Sequence, residues 1–384
     1  MNEMDMLPNS PVKSLSLTCP HSSGGLVERI LAHTPVLEHL SFKVVNVSEA
    51  FIECLSIQCP RLRSLEIELT HSDNSRYTLI EKLCYGLAQI YHGQLVQLKL
   101  CLHREPLVPQ HALNEVWKSH GPFLKSLELS KFTVSPSCLF CLAQYISPKL
   151  KRLCLTSIMD VSRPPFDTWV HLLSKCGNSL QTLHLDKNFS LNDHIAFVIA
   201  KCCSKLRELS LRRTRIGDVA IKKILETNGK TLETLNLSET FISGDTIRNI
   251  TKYCYRITDL DVEWPRWPEA YEGASSSTSE LTDLICIHGS HLESLNVDRW
   301  PVTNDILESI ATYGRSLKVL TIRDNKTLSD DHLRMIMQDC KKLQRLYILL
   351  SYPYTIEGLS YDVLTEVQNR YIDYHAELGG RALY

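Results

Sequence analysis

The chain has 384 residues, of which 43% are hydrophobic and 22% are charged, and its formal net charge is -1 at pH 7. This composition is typical of a folded globular chain and excludes a largely disordered one. The near-zero net charge gives no overall field that would attract a nucleic acid or an anionic membrane. The sequence contains no run of about eighteen apolar residues, so we expect no transmembrane helix. Residues 1–13 lack the basic and then apolar order of a signal peptide.

The 14 cysteines of the chain lie mostly inside periodic apolar segments. A long chain with cysteines in such positions is typical of reduced, buried thiols, not of a small secreted module held together by disulfides. We therefore expect free thiols and a cytoplasmic or nuclear location.

The pattern L-x-x-L-x-L recurs along most of the chain. Two weaker copies begin at Val12 and Leu37. Clear copies begin at Leu62, Leu95, Leu124, Leu150, Leu180, Leu206, Leu232, Ile257, Leu292, Leu317 and Leu343. The spacing is mostly about 25 to 30 residues, and about thirteen such units predict a leucine-rich-repeat (LRR) solenoid.

Each repeat is expected to combine a short strand with a helix. The fourth and sixth positions of the pattern point to one side of a strand and form the core, while the residue between them points outward. Because such short strands are stable only when stacked, we expect a parallel sheet on the concave face. After the strands the apolar period becomes helical, and Asn192 is the predicted N-cap of one such helix. With these helices on the convex face, the predicted fold class is α/β.

The repeats also define the predicted domain organisation. Residues 1–11 form an N-terminal tail, residues 12–352 form the LRR solenoid, and residues 353–384 form a C-terminal capping helix and tail. The capping helix is predicted from Tyr361 to His375, where it would cover the last layer of the core.

Cysteines near the ends of the predicted helices refine the repeat class. Four of them lie three residues before the first Leu or Ile of a unit, namely Cys59, Cys203, Cys254 and Cys340. Cys176 lies four residues before Leu180. This pattern resembles the cysteine-containing repeats of the F-box/LRR family, and the resemblance covers about residues 12–350. In that family the solenoid selects the substrate of an SCF-type cullin ubiquitin ligase, so the resemblance implies a protein-interaction receptor or adaptor.

The F-box of that family is a helical module that normally precedes the repeats and docks the ligase adaptor. Residues 1–11 are too few to form it, and no other segment resembles one. Ligase machinery is therefore expected as a partner only where an F-box lies upstream, and we expect the 384 residues not to bind the ligase adaptor by themselves. The edge of the first strand, near Leu15 and Leu17, needs a cap or a second protein.

An insertion in the tenth unit indicates a candidate binding site. Residues 264–279 are rich in Pro, Gly and Ser, and insertions in repeats often lie on the binding face. Trp and Arg cluster at this point, and both residue types dominate the hot spots of protein interfaces. The candidate partner-binding residues are Trp264, Arg266, Trp267, Arg299, Trp300 and Arg323. The alternative is that the tryptophans only pack the insertion against the rim of the solenoid.

Charged residues extend this candidate site along the concave face. Cations follow the eighth strand at Arg212, Arg213 and Arg215. Carboxylates lie on or after the ninth and tenth strands, at Glu239, Asp259, Asp261 and Glu263. Adjacent basic and acidic stripes predict a protein partner of complementary polarity. The alternative is a solvated surface on which the two stripes neutralise each other.

The sequence offers no catalytic constellation. Cys138-Leu-Phe-Cys141 is a lone C-x-x-C near a helix start, with neither a thioredoxin-like context nor a second pair for zinc, so structural cysteines are favoured over a redox site. We therefore expect a protein partner on the concave face and no enzyme, cofactor, metal, membrane or nucleic acid. The alternatives are a ligase-independent scaffold, an enzyme with a site on the loops, and a nucleic-acid binder that uses residues 212–215.

Overall fold

The computed structural model describes most of the chain in two compact units. The described residues are 11–19, 25–44, 49–69, 77–90, 93–102, 110–132, 134–158, 166–264, 278–323, 327–350, 359–370, 375–378 and 381–382. The first unit comprises residues 1–190 and 202–205, and the second comprises residues 191–201 and 206–384.

The first unit alternates strands and helices. Its strands are β1 (Ser14–Cys19), β2 (His39–Val44), β3 (Ser64–Leu69), β4 (Gln97–Leu102), β5 (Ser126–Ser130), β6 (Arg152–Thr156) and β7 (Thr182–His184). Its helices are α1 (Leu26–Ala32), α2 (Glu49–Gln58), α3 (Tyr77–Ile90), α4 (Gln110–His120), α5 (Pro136–Tyr145) and α6 (Phe166–Cys176). Neighbouring strands pair in parallel and in chain order from β1 to β7.

The second unit repeats the same arrangement. Its strands are β8 (Glu208–Ser210), β9 (Thr234–Asn236), β10 (Asp259–Asp261), β11 (Ser294–Asn296), β12 (Val319–Arg323), β13 (Arg345–Leu350), β14 (His375–Leu378) and β15 (Arg381–Ala382). Its helices are α7 (Asp193–Cys202, of which the last residue belongs to the first unit), α8 (Asp218–Asn228), α9 (Gly244–Tyr253), α10 (Thr278–His288), α11 (Asn304–Tyr313), α12 (Asp330–Asp339) and α13 (Tyr361–Arg370). Strands β8 to β14 pair in parallel, and β15 pairs antiparallel with β14.

The predicted α/β LRR solenoid fold is confirmed by this architecture. Each of the 13 strands from β1 to β13 begins two residues after the first position of its predicted repeat. The fourth pattern position forms the core, as where Leu235, Leu260 and Leu295 pair in register at 1% exposure each. None of the helices in the described ranges combines the length and the apolar character needed to cross a bilayer.

Buried cysteines lie at the helix ends, as the repeat pattern predicts. Cys59, Cys203 and Cys254 are 0% exposed and Cys340 is 1% exposed. The Cys340 thiol donates to a backbone carbonyl of the preceding repeat, at 3.5 Å from Sγ to the Ile310 oxygen. The thiols therefore fill small, slightly polar sites in the core between consecutive helices.

Some repeats have a larger polar residue at this position, followed by glycine. These residues are His120, Asn228 and His288. The side-chain oxygen of Asn228 accepts the Leu206 N–H at 3.2 Å. A Cβ atom at Gly229 would lie only 2.7 Å from the Tyr253 carbonyl oxygen, so glycine lets the next repeat approach closely. The cysteine pattern does not predict these three polar residues, although the following glycine and the four-residue spacing to the next repeat are signals that mark them.

The C-terminal helix is shorter than the sequence predicts. The prediction runs from Tyr361 to His375, but α13 ends at Arg370 and His375 is the first residue of β14. Val363 and Val367 are fully buried, so the helix covers apolar surface as expected. Strand β14 pairs in parallel with β13, so His375 belongs to the sheet and not to the helix.

Candidate interaction surface

An ionic cluster lies after the carboxyl ends of four strands of the second unit. It consists of Arg212, Arg213, Glu239, Glu263 and Arg299, which follow β8, β9, β10 and β11. Because these strands are parallel, their carboxyl ends meet at one edge of the sheet. Pairs such as Arg213 and Glu239, 26 positions apart, and Glu263 and Arg299, 36 positions apart, are thereby brought into contact.

The turn after each strand positions several of these side chains. Arg213, Glu239 and Arg299 have positive φ angles of 55°, 56° and 66°. Lys131 and Lys187 occupy the same turn position in the first unit, at 60° and 59°. The left-handed conformation costs a non-glycine residue about 1–2 kcal/mol. Its recurrence in both units makes it a property of the repeat.

Two guanidinium groups hold Glu239 at the start of the cluster. Arg213 Nε donates to Glu239 Oε1 at 2.7 Å, and Arg212 Nη2 donates to the same oxygen at 3.1 Å. Glu239 is only 2% exposed. Burial alone would raise the pKa of Glu239, but the hydrogen bonds from both arginines outweigh it and hold the pKa below the ordinary value. Glu239 is therefore a buried carboxylate that fixes two partly exposed cations.

Glu263 continues the cluster on the next repeat. Its Oε1 lies 3.1 Å from Arg299 Nη1, and its Oε2 lies 3.9 Å from Arg212 Nη2. Arg299 also donates to the Trp264 carbonyl at 3.3 Å. Burial raises the pKa of Glu263, and the Arg299 charge only partly opposes this effect. The cluster thus places two carboxylates on the middle repeats, with cations on the repeats before and after them.

A second arrangement lies on the side of the sheet opposite the helices, here called the helix-free face. Asn236, Asp261 and Asn296 pair in register on β9, β10 and β11, and we call them the acid–amide ladder. The Asn236 amide donates to Asp261 Oδ2 at 3.2 Å, and the Glu263 N–H donates to Asp261 Oδ1 at 3.2 Å. Burial raises the pKa of Asp261, although the hydrogen bonds from Glu263 and Asn296 and the charge of Arg212 lower it. The carboxylate is held in place by neutral donors.

The two predicted tryptophan hot spots are buried. Trp264 is 5% exposed and Trp300 is 1% exposed, and their rings meet edge to face with centroids 4.4 Å apart. The Trp300 indole N–H donates to the Val262 carbonyl. The expectation that a partner contacts these two rings is wrong, because each ring fills the space beside the neighbouring repeat. The alternative, packing of the insertion against the rim, stays a prediction because residues 265–277 lie outside the described residues.

The other predicted residues are only partly accounted for. Arg266 and Trp267 lie outside the described residues, and Arg323 is the last residue of β12 with a side chain that also lies outside them. Arg215 is exposed and lies opposite Asn192 in a parallel bridge. Arg212, Arg213, Glu263 and Arg299 do come together, and Asp261 lies beside them in the ladder. The predicted basic and acidic stripes partly neutralise each other.

The helix-free face of the first unit carries a different charge pattern. Lys43 Nζ lies 2.8 Å from Glu68, and Lys99 Nζ lies 2.6 Å from Glu66 and 3.5 Å from Glu128. These residues point away from the core on neighbouring strands, and opposite charges face each other in register. Such exposed pairs contribute little stability, but they leave this face without a dominant charge.

The C-x-x-C pair is structural. Cys138 is 0% exposed, and its sulfur lies 3.4 Å from the Trp117 indole nitrogen that donates to it. Burial raises the pKa of the Cys138 thiol to about 12, and it also raises the pKa of Cys141. A redox site needs a lowered thiol pKa, so the structure contradicts that interpretation. Within the described ranges, no three His, Cys, Asp or Glu side chains group closely enough to hold a metal ion.

Comparison with known proteins points to F-box proteins. No protein-family model matches the chain. It is 30% identical over 169 residues to the F-box protein At5g03100 of Arabidopsis thaliana, a match that covers 39% of this chain and 50% of that protein. It is 23% identical over 229 residues to the BTB/POZ domain-containing protein FBL11 of the same plant, covering 55% of this chain and 22% of that protein. The chain thus spans half or less of the length of these curated relatives.

A solved structure shares the fold over most of the chain. The crystal structure of the Rad7 and Elc1 complex in yeast contains a chain that matches with a TM-score of 0.60 at 16% identity. The match covers 93% of this chain and 82% of that chain. At this identity the similarity concerns the fold alone. Sequence and fold together make this chain similar to F-box and LRR proteins.

Proposed function

We propose that this chain is a protein-interaction adaptor that binds a protein partner on the helix-free face of its second unit. The observation that carries the proposal is the rigid polar surface along β8 to β11, where the ionic cluster and the acid–amide ladder fix charged and amide groups beside one another. Polar groups that are already held in place lose little conformational entropy when a partner binds. LRR sheets offer extended surfaces of this kind for binding.

We further propose that the adaptor serves an SCF-type ubiquitin ligase as its substrate-recognition part. The cysteine-containing repeats, which resemble those of the F-box/LRR family, and the 30% identity to an F-box protein support this role. In such a role the chain holds the substrate and performs no chemistry of its own. The free thiols of the described cysteines support a location in the cytoplasm or the nucleus.

A steric block tests the binding face independently of its charge. Thr234 on β9 and Ser294 on β11 point to the helix-free face on either side of Asp259. The double variant Thr234→Trp, Ser294→Trp should lose the proteins that the tagged wild-type chain captures after brief cross-linking, as quantified by mass spectrometry. The matched control places the same residue on exposed positions of α10 and α11, as Asp283→Trp, Glu308→Trp.

The control variant should retain the captured set, and circular dichroism should show that both variants fold. If the face variant captures the same proteins as the control, the binding face is wrongly assigned.

The ligase role has a separate test. In cells depleted of the chain, a captured partner should carry less ubiquitin and have a longer half-life, and re-expression of the wild type should reverse both effects. Unchanged turnover of every captured partner would contradict the ligase role and favour a scaffold that works by occupancy.

A further inference from the structure

On the helix-free face of β9 to β11, two carboxylates form no ion pair with any of the described residues, and this indicates the chemistry of the partner. Resting on the proposed function, we infer that this face binds a protein segment that carries Lys or Arg side chains, with Asp259 and Asp261 as its main contacts. Both residues flank the core residue Leu260, so both side chains point away from the core.

The two carboxylates are held by neutral groups. The Thr258 hydroxyl donates to Asp259 Oδ2 at 2.7 Å. Asp261 accepts from the Asn236 amide and from the backbone N–H of Glu263. Among the described residues, neither carboxylate forms an ion pair. Arg212, whose charge lowers the pKa of Asp261, contacts Glu239, and Arg299 contacts Glu263.

Those guanidinium groups are already engaged at the strand ends. Arg213 and Arg212 donate to Glu239, and Arg299 pairs with Glu263. To reach Asp259 or Asp261, an arginine would have to leave a carboxylate that is itself buried. That carboxylate would then carry an uncompensated charge in a poorly solvated site, which is unfavourable. A direct ion pair for Asp259 or Asp261 must therefore come from outside the ionic cluster.

The first unit provides an internal comparison. On its helix-free face Lys99 lies in register between Glu66 and Glu128 and pairs with both. The corresponding row of the second unit has Asp261 in register between Asn236 and Asn296. The same sheet position therefore presents a lysine paired with two carboxylates in the first unit, and a carboxylate flanked by two amides in the second. A row whose carboxylate forms no ion pair with the described residues is complementary to a basic partner.

The setting of Asp261 strengthens the attraction for a cation. Burial keeps its pKa above the ordinary value, so the charged carboxylate lacks part of its solvation. An approaching ammonium or guanidinium group would replace that solvation and lower the pKa of Asp261. The amide and backbone donors hold the carboxylate in one orientation, so little ordering is required when the cation binds.

The sequence of the insertion that follows β10 carries a net negative charge. Residues 265–277 contain Arg266 but also Glu269 and Glu272, so the insertion adds more negative than positive charge. A nucleic acid would bring further negative charge to the carboxylates and is disfavoured for the same reason. A basic segment of another protein is the occupant that fits.

Peptide binding tests this chemistry with a defined probe in place of the natural partner. The probe is a fluorescein-labelled peptide of alternating Arg and Ser, and citrulline and Glu versions of the same peptide serve as comparisons. Fluorescence anisotropy should detect binding of the Arg peptide to the full chain, with an affinity that falls as salt rises. The double variant Asp259→Asn, Asp261→Asn should weaken that binding about tenfold, because two charge pairs are lost at a partly desolvated site.

A control of equal charge separates a specific face from general attraction. Asp283→Asn, Glu308→Gln removes two exposed carboxylates from α10 and α11, and it should leave the affinity within about twofold of wild type because exposed surface charges act weakly. Equal losses in both double variants, or equal binding of the Arg and citrulline peptides, would overturn the inference. If the tryptophan block abolishes partner capture while these peptides show no preference, the proposed function stands and only the partner chemistry is wrong.

Discussion

At the scale of single residues, the helix-end cysteines act as small core residues with a weak hydrogen-bond donor. Cys176 Sγ donates to the Leu172 carbonyl at 3.2 Å, within its own helix. Burial raises the pKa of Cys176 to about 12 and that of Cys59 to about 11. Since the thiolate is the nucleophile, thiols in these positions are expected to be unreactive in the native protein.

Replacement of one such thiol tests its structural role. Cys203→Ser should lower the free energy of unfolding by about 1–3 kcal/mol, because a hydroxyl is costlier to bury than a thiol unless it finds a hydrogen-bond partner. Urea denaturation measures the difference. The matched control is Cys286→Ser on α10, where the thiol is exposed and the change should stay below about 0.5 kcal/mol. Equal stability losses in both variants, or rapid labelling of native Cys203 by a thiol reagent, would contradict the role.

The tryptophans mark the limit of prediction at this scale. The sequence places Trp264 and Trp300 just after their strands, but exposure there depends on how the neighbouring repeat packs. The edge-to-face contact joins residues 36 positions apart, and no local pattern encodes it. Core cysteines are easier to predict because their burial follows from the period of a single helix.

At the scale of elements, strands are predicted better than helix ends. The register of L-x-x-L-x-L fixes each strand start, since a shift by one residue would turn the leucines away from the core. The end of α13 has no comparable signal, and the prediction wrongly extends the helix to His375, which lies in β14. The ionic cluster is only partly predictable, because the charges are visible in the sequence but the pairing of Glu239 with Arg213 depends on the left-handed turns.

The glycine after Asn228 gives a test at this scale. In Gly229→Ala the new methyl group would lie 2.6 Å from the Leu225 oxygen and 2.7 Å from the Tyr253 oxygen, so backbone must move. We expect the free energy of unfolding to fall by about 1–3 kcal/mol, measured by urea denaturation.

The control lies at the other end of the same helix. Gly217 is the N-cap of α8, and its nearest neighbour beyond a new Cβ would be 3.5 Å away. Gly217→Ala should cost less than about 1 kcal/mol, since alanine is a somewhat poorer N-cap. If the two substitutions cost the same, close approach of the next repeat is not what requires Gly229.

At the scale of the whole molecule, the two units use one repeat for different surfaces. The core positions of both units carry similar apolar residues, because the stacked leucines leave no room for other residue types. The outward positions carry no such constraint, and they hold paired charges in the first unit but amides and carboxylates in the second. The fold therefore follows from the sequence repeat, whereas the binding surface follows from the residues that the repeat leaves free.

Buried thiols in both units also couple global stability to alkaline pH. Burial raises the pKa of Cys84, Cys138 and Cys254 to about 12, from an ordinary value of 9.0. The native state therefore holds these protons more tightly than the unfolded state. Their contribution is fully present below pH 9.0 and is lost as the pH rises towards about 12. In that window the unfolding free energy should fall by about 1.4 kcal/mol per pH unit for each such thiol, as measured by urea denaturation. Cys254→Ala should reduce the slope of unfolding free energy against pH by the contribution of one thiol. An unfolding free energy that does not change with pH above pH 9.0 would contradict the coupling.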